Sequence, residues 1–132
     1  MEEKAKKSGN AAPPTGTYRA AYEARRSERL ADMEAKRLAS LDAARQAARH
    51  LFTLGASRVL LFGSILAPGR FHARSDLDVL AHGLPPGQWS AALRCLEDWP
   101  GLQELDIDLK FAEELPTHFL AFAEAEGEEV QR

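Results

Sequence analysis

Two short segments carry acids at alternate positions, Asp76-Leu77-Asp78-Val79-Leu80 and Leu105-Asp106-Ile107-Asp108-Leu109. Side chains two apart on a strand share a face, so Asp76 and Asp78 stand together, as do Asp106 and Asp108. Anions held that close resist ionisation unless a cation lies between them. Mg²⁺, which takes few carboxylates and completes its shell with water and phosphate oxygens, suits such a pair. An acidic edge strand guarding against aggregation is the plain alternative. If the two strands are neighbours with their acidic faces aligned, three or four carboxylates meet at one point. That cluster suits two divalent ions clamping a phosphoryl or nucleotidyl group. If one strand shows its acids to solvent, the two pairs never meet. Upstream, Phe62-Gly63-Ser64 closes an apolar run. A glycine there lets a ligand approach the backbone, and a serine entering a turn offers its hydroxyl and N–H to a phosphate. The same dipeptide also makes a plain turn.

The elements that must position these residues follow from periodicity. Residues 1–16 are polar and are expected to form a disordered tail. Tyr18 to Leu54 has no Gly or Pro, and Leu30, Met33, Leu41, Ala44, Ala48 and Leu51 recur near the helical period, with Gly55 as the stop. Some 37 residues is long for one globular helix. A second helix capped by Ser40, with Asp42 in its first turn, is therefore the alternative. The first part, 17–39, has a thin apolar side and reads as an extension. Ser57 to Gly63 reads as a strand and 64–74 as a loop with at most a short helix. The two acid-alternating segments read as strands, Trp89 to Trp99 as a helix, and Pro116 to about Glu126 as a last helix. The acidic run Glu124 to Glu129 reads as a solvated end. The sum is an α+β fold of residues 40–132: a small mixed sheet with helices packed on one face, behind a long N-terminal helix.

Composition excludes several classes. One cysteine, Cys95, rules out a disulfide framework or an all-cysteine zinc site within the chain, and its helical context predicts an inert thiol. His50, His72, His82 and His118 show no metal-ligand spacing; His82 and Arg74 lie near the acidic strand in sequence. Trp89 and Trp99 do not share a helix face well, so one is expected in the core. The net charge of −3 divides unevenly: residues 1–50 carry 11 Lys/Arg against 7 Asp/Glu, residues 51–132 carry 6 against 13. Direct nucleic-acid binding is not expected of a body that would repel phosphate. No apolar run reaches membrane-span length and the first residues are not a signal peptide, so a cytoplasmic protein without a membrane partner is expected.

Taken together, Gly63-Ser64, then Asp76-Leu77-Asp78, then a strand with Asp108 resemble the Gly-Ser…Asp-x-Asp…Asp signature of the polymerase-beta-like nucleotidyltransferases. The similarity is closest to their minimal nucleotidyltransferase (MNT) domain and spans about residues 40–130, including Gly69-Arg70-Phe71 and Glu114-Leu115-Pro116. The resemblance implies that Gly63 and Ser64 hold the outer phosphates of ATP and that Asp76 and Asp78 ligate Mg²⁺. It implies a third carboxylate completing a second metal site and acting as base. Asp106 and Asp108 point the same way, and the spacing to Glu114-Leu115-Pro116 favours Asp108. The sequence departs from the family in a loop one residue longer between Ser64 and Asp76, with Pro68 where a basic residue is usual. Arg70 and Arg74 are the candidates to compensate, or are surface arginines.

One small domain leaves no room for a separate substrate domain, so the acceptor is expected on a partner. MNT proteins typically pair with a helical HEPN toxin. The resemblance therefore implies an antitoxin that transfers AMP from ATP to a tyrosine of that toxin, with the N-terminal helix as a docking element. The alternative is a catalytically degenerate binding module that neutralises its partner by contact alone. Transfer to a small molecule such as an aminoglycoside is disfavoured, since those enzymes usually carry a second domain.

Overall fold

The computed structural model describes residues 15–72 and 74–132. The expected disordered tail lies outside the described residues except at its end, where helix α1 (Thr15–His50) has already begun. The chain divides between Asp32 and Met33 into two compact units. In the first, residues 16–32 are exposed throughout, Tyr18, Tyr22 and Leu30 included, as a thin apolar side requires.

The second unit holds the sheet and its packing. Leu41, Ala44, Ala48 and Leu51 are buried at helical spacing, and the small Ala43 and Ala47 between them allow close approach. The helix does not restart at Ser40: α1 is unbroken to His50, continues as a 3₁₀ turn over Leu51–Leu54, and stops at Gly55 in the left-handed region. A mid-helix serine costs only about 0.5 kcal/mol against alanine, and with no Gly or Pro nearby nothing breaks the ladder. Asp42 accepts from the Gln46 amide at 2.8 Å rather than serving a helix start.

Four strands follow: β1 (Arg58–Phe62), β2 (Asp76–His82), β3 (Asp106–Phe111) and the two-residue β4 (Glu128–Glu129). Helix α2 (Trp89–Asp98) lies between β2 and β3, and α3 (Thr117–Glu126) between β3 and β4. The sheet order is β3-β2-β1-β4, with β2 parallel to β3 and β1 antiparallel to both β2 and β4. This is the small mixed sheet of an α+β fold. On its helical face Val59, Leu61, Leu77, Val79 and Ala81 pack with Ala44 and Ala47 of α1 and Ala92 and Leu96 of α2. Trp99 packs against this core while Trp89 is exposed. On the other face Leu60, Phe62 and Leu80 form a smaller cluster with Ala112 and Ala123, against which Phe119 and Leu120 of α3 rest.

The Glu124–Glu129 run is not a solvated end. Glu128 pairs with Arg45 at 2.6 Å, and Arg58 bonds both Glu124 and Glu129. The run is recruited because β1 would otherwise leave an open edge: Leu60 and Leu61 pair with Glu129 and Glu128, and Val130 is buried just beyond. Among the described residues no helix is long and apolar enough to cross a membrane.

Candidate functional site

Asp76 and Asp78 occupy the first half of β2, and Asp106 and Asp108 the first half of β3. The parallel register sets Asp76 beside Asp106 and Asp78 beside Asp108. All four carboxylates therefore lie on one face of adjacent strands, about 4.8 Å apart between strands. It is the face that carries Leu80 and Phe62, beyond the patch that α3 covers. Asp76, Asp106 and Asp108 are exposed and Asp78 is half-buried.

Asp78 is the hinge of the arrangement. It is registered with Phe62 at the end of β1. Gly63 then turns the chain with φ 101°, and a Cβ there would collide with Asp78 Oδ2. Glycine is thus required twice, by its backbone angle and by the carboxylate lying against its Cα. Burial pushes the Asp78 carboxyl above the usual carboxylate range, and Asp108 and Asp76 add to the rise against the pull of Lys110. Asp108 is the cross-strand register partner of Asp78, and Asp76 stands two residues back on the same face. Lys110, two residues on from Asp108 and on the same face, makes an ion pair with it.

Ser64 opens a 3₁₀ turn over Ser64–Leu66, closed by Leu66 N–H donating to Gly63 O at 3.1 Å and Ala67 N–H to Ser64 O at 3.0 Å. The first amides of such a turn have no partner within it and are available to an anion. Ile65 is fully buried and anchors the turn. A contact across 28 residues fixes it further: the Arg37 guanidinium, only 6% exposed, donates from Nη1 to Ile65 O at 2.9 Å. Its Nε and Nη2 grip Glu34 at 2.9 and 2.8 Å. Arg37 lies on the extension side of the boundary expected at residue 40, and the sequence reading did not single it out. The only signal available was an arginine on the buried side of the helix, four residues ahead of Leu41.

Beside the turn is an open cleft of about 280 Å³ lined by Gly63, Ser64 and Arg70, with Phe122 and Glu126 of α3 on its other side. Arg70 is exposed and belongs to this cleft. Arg74, also exposed, does not line it; its backbone N–H donates to His72 Nδ1 at 3.3 Å. Ser75 is buried and closes the approach to β2, its Oγ accepting from His72 N–H at 2.8 Å. His82 is at the far end of β2, registered with Arg58, six residues and roughly 20 Å of strand from Asp76. Cys95 is half-buried and burial raises its thiol pKa, in keeping with an inert role.

The donor set is all carboxylate, which is the chemistry of Mg²⁺ rather than of zinc or copper. Asp76, Asp78 and Asp108 would hold such ions, which would supply positive charge to an incoming phosphate chain. Among the described residues no group of three or more His, Cys, Asp or Glu side chains is gathered so as to hold a metal ion as it stands. Three acids with one lysine between them leave an excess of negative charge that divalent cations would balance, so the residues fit the group. Chemically, the arrangement can hold a polyanion through cations at one side and backbone amides at the other. No protein-family model matches the chain, and no curated protein matches it in sequence.

Proposed function

We propose that the chain is a Mg²⁺-dependent nucleotidyltransferase of the polymerase-beta-like, MNT type. It moves AMP from ATP to a tyrosine hydroxyl of a helical HEPN toxin and acts in the cytoplasm as that toxin's antitoxin. The observation that carries this reading is the register of Asp76 and Asp78 on Asp106 and Asp108, on an uncovered face beside Gly63 and Ser64. When bound, the divalent ions neutralise the triphosphate. The Ser64 turn holds the outer phosphates with its free amides and hydroxyl, and Arg70 adds charge at the cleft. The acceptor oxygen attacks the α-phosphorus, the bond to pyrophosphate breaks, and Asp108 takes the hydroxyl proton. Positioning and charge neutralisation carry most of the rate, as in phosphoryl transfer generally.

α-Labelled ATP, incubated with Mg²⁺, this chain and a candidate helical HEPN-type protein, tests the reading. Label is expected on the partner's tyrosine and is expected to vanish with Asp78→Ala. No transfer, or transfer indifferent to that substitution, contradicts it. The binding-module reading is favoured by one observation, the Lys110–Asp108 pair, which partly neutralises the site without metal. On that reading Asp76→Asn leaves neutralisation of the toxin untouched.

A further inference from the structure

The cleft beside Gly63 and Ser64 has a second wall whose chemistry is not that of phosphate. Phe122 on α3 lines it and is 54% exposed, among the most open large apolar side chains of the second unit. The ring is not loose. Phe119 lies 6.3 Å away, centroid to centroid, at 54°, and Phe119 in turn meets Phe62 edge-on at 5.7 Å and 73°. Phe62 is the residue registered with Asp78. A row of three aromatic rings therefore runs from the acid pair to the cleft, and its last member stands uncovered. A single exposed phenylalanine needs no explanation by itself. One that shares a cleft with a phosphate-binding turn and an arginine, held by a packed aromatic row, has the makings of a stacking surface.

We propose that Phe122 is the platform on which the base of the bound nucleotide stacks, while Ser64 and Arg70 hold its phosphates. This rests on the nucleotidyltransferase reading above and adds to it the residue that recognises the nucleoside. Every nucleobase offers a π-face, so stacking gives affinity for a nucleoside over a bare phosphate chain more than it selects one base. At about 280 Å³ the cleft is open and smaller than a complete ligand pocket.

The test is calorimetric titration of the full chain, with Mg²⁺, using two probes: α,β-methylene ATP, which cannot transfer AMP, and inorganic triphosphate. Phe122→Ala is expected to weaken the nucleotide probe by roughly tenfold and to leave triphosphate binding unchanged. Phe122→Trp is expected to restore nucleotide affinity, with tryptophan emission quenched by the nucleotide and not by triphosphate. Equal nucleotide affinity in wild type and Phe122→Ala overturns the proposal. So does an equal loss for both probes, which would mark Phe122 as structural only. Wild type that binds neither probe overturns the underlying nucleotidyltransferase reading instead, and the two failures are thereby told apart.

Discussion

One end of the sheet holds Asp76, Asp78, Asp106 and Asp108; the other holds Glu124, Glu128 and Glu129. Both are clusters of acids on neighbouring elements, and they have been treated in opposite ways. At the glutamate end three carboxylates each have a guanidinium: Arg45 for Glu128, and the Arg58 fork for Glu124 and Glu129. Their pKa values are held below the usual carboxylate range by those bonds. At the aspartate end Lys110 alone among the described residues pairs with the cluster, and Asp78 is pushed the other way by burial and by its neighbours. Matched acids are ties between elements. Acids left in excess of their cations, against a glycine that leaves room for them, cost stability, and on the proposed reading they are where a divalent cation and a phosphate chain bind.

The contrast predicts opposite responses to substitution. Asp78→Asn is expected to lower nucleotidyl transfer on the order of a thousandfold while raising the melting temperature of the metal-free protein. A fall in melting temperature would mean that Asp78 is a structural tie after all. Arg37→Met removes the support of the Ser64 turn and is expected to raise KM for ATP about tenfold with kcat less affected, Arg37→Lys recovering part of the loss. A uniform loss of folded protein, without a KM effect, would make Arg37 a packing residue only. Arg58→Met is expected to lower the melting temperature by a few degrees and leave transfer unchanged.

The smallest effect is in the pH profile. Glu124, Glu128 and Glu129 titrate below their usual range, so their stabilisation is present above that range and is lost as pH falls through it. Asp78 has the opposite sign: its folded-state pKa is raised, so acidification relieves the strain of ionising it. Melting curves of the wild type and Asp78→Asn should therefore differ most near neutrality and converge in acid, with the variant losing more on the way down. Parallel curves would show that Asp78 is not under strain.

Much of this was legible in the sequence because strand alternation is. Asp76-Leu77-Asp78 and Asp106-Ile107-Asp108 announce both the strands and the shared face, and Gly63-Ser64 announces the turn. What the sequence could not show is pairing. Alternation treats Asp106 and Asp108 alike, and only the β2–β3 register sets Asp108 next to Asp78. Nor could local pattern show that Glu128 and Glu129 would seal the edge of β1, since two charged residues carry no strand signal until Val130 is buried beyond them. Arg37 was hidden for the same reason: its partner Ile65 is 28 residues away. The continuity of α1 was left open, with a second helix from Ser40 as the alternative, because Ser40 can cap a helix or sit inside one, and nothing within a few residues decides between the two.

The central claim is that the unmatched aspartates form a site for Mg²⁺ and a nucleoside triphosphate. The most direct measurement is the affinity of wild type and Asp78→Asn for Mg²⁺ with α,β-methylene ATP, beside the melting temperature of each without ligand. The account predicts binding by wild type that depends on Mg²⁺, and its loss in a variant that is the more stable of the two. Metal-independent binding, equal affinity in both proteins, or no binding by wild type would contradict it.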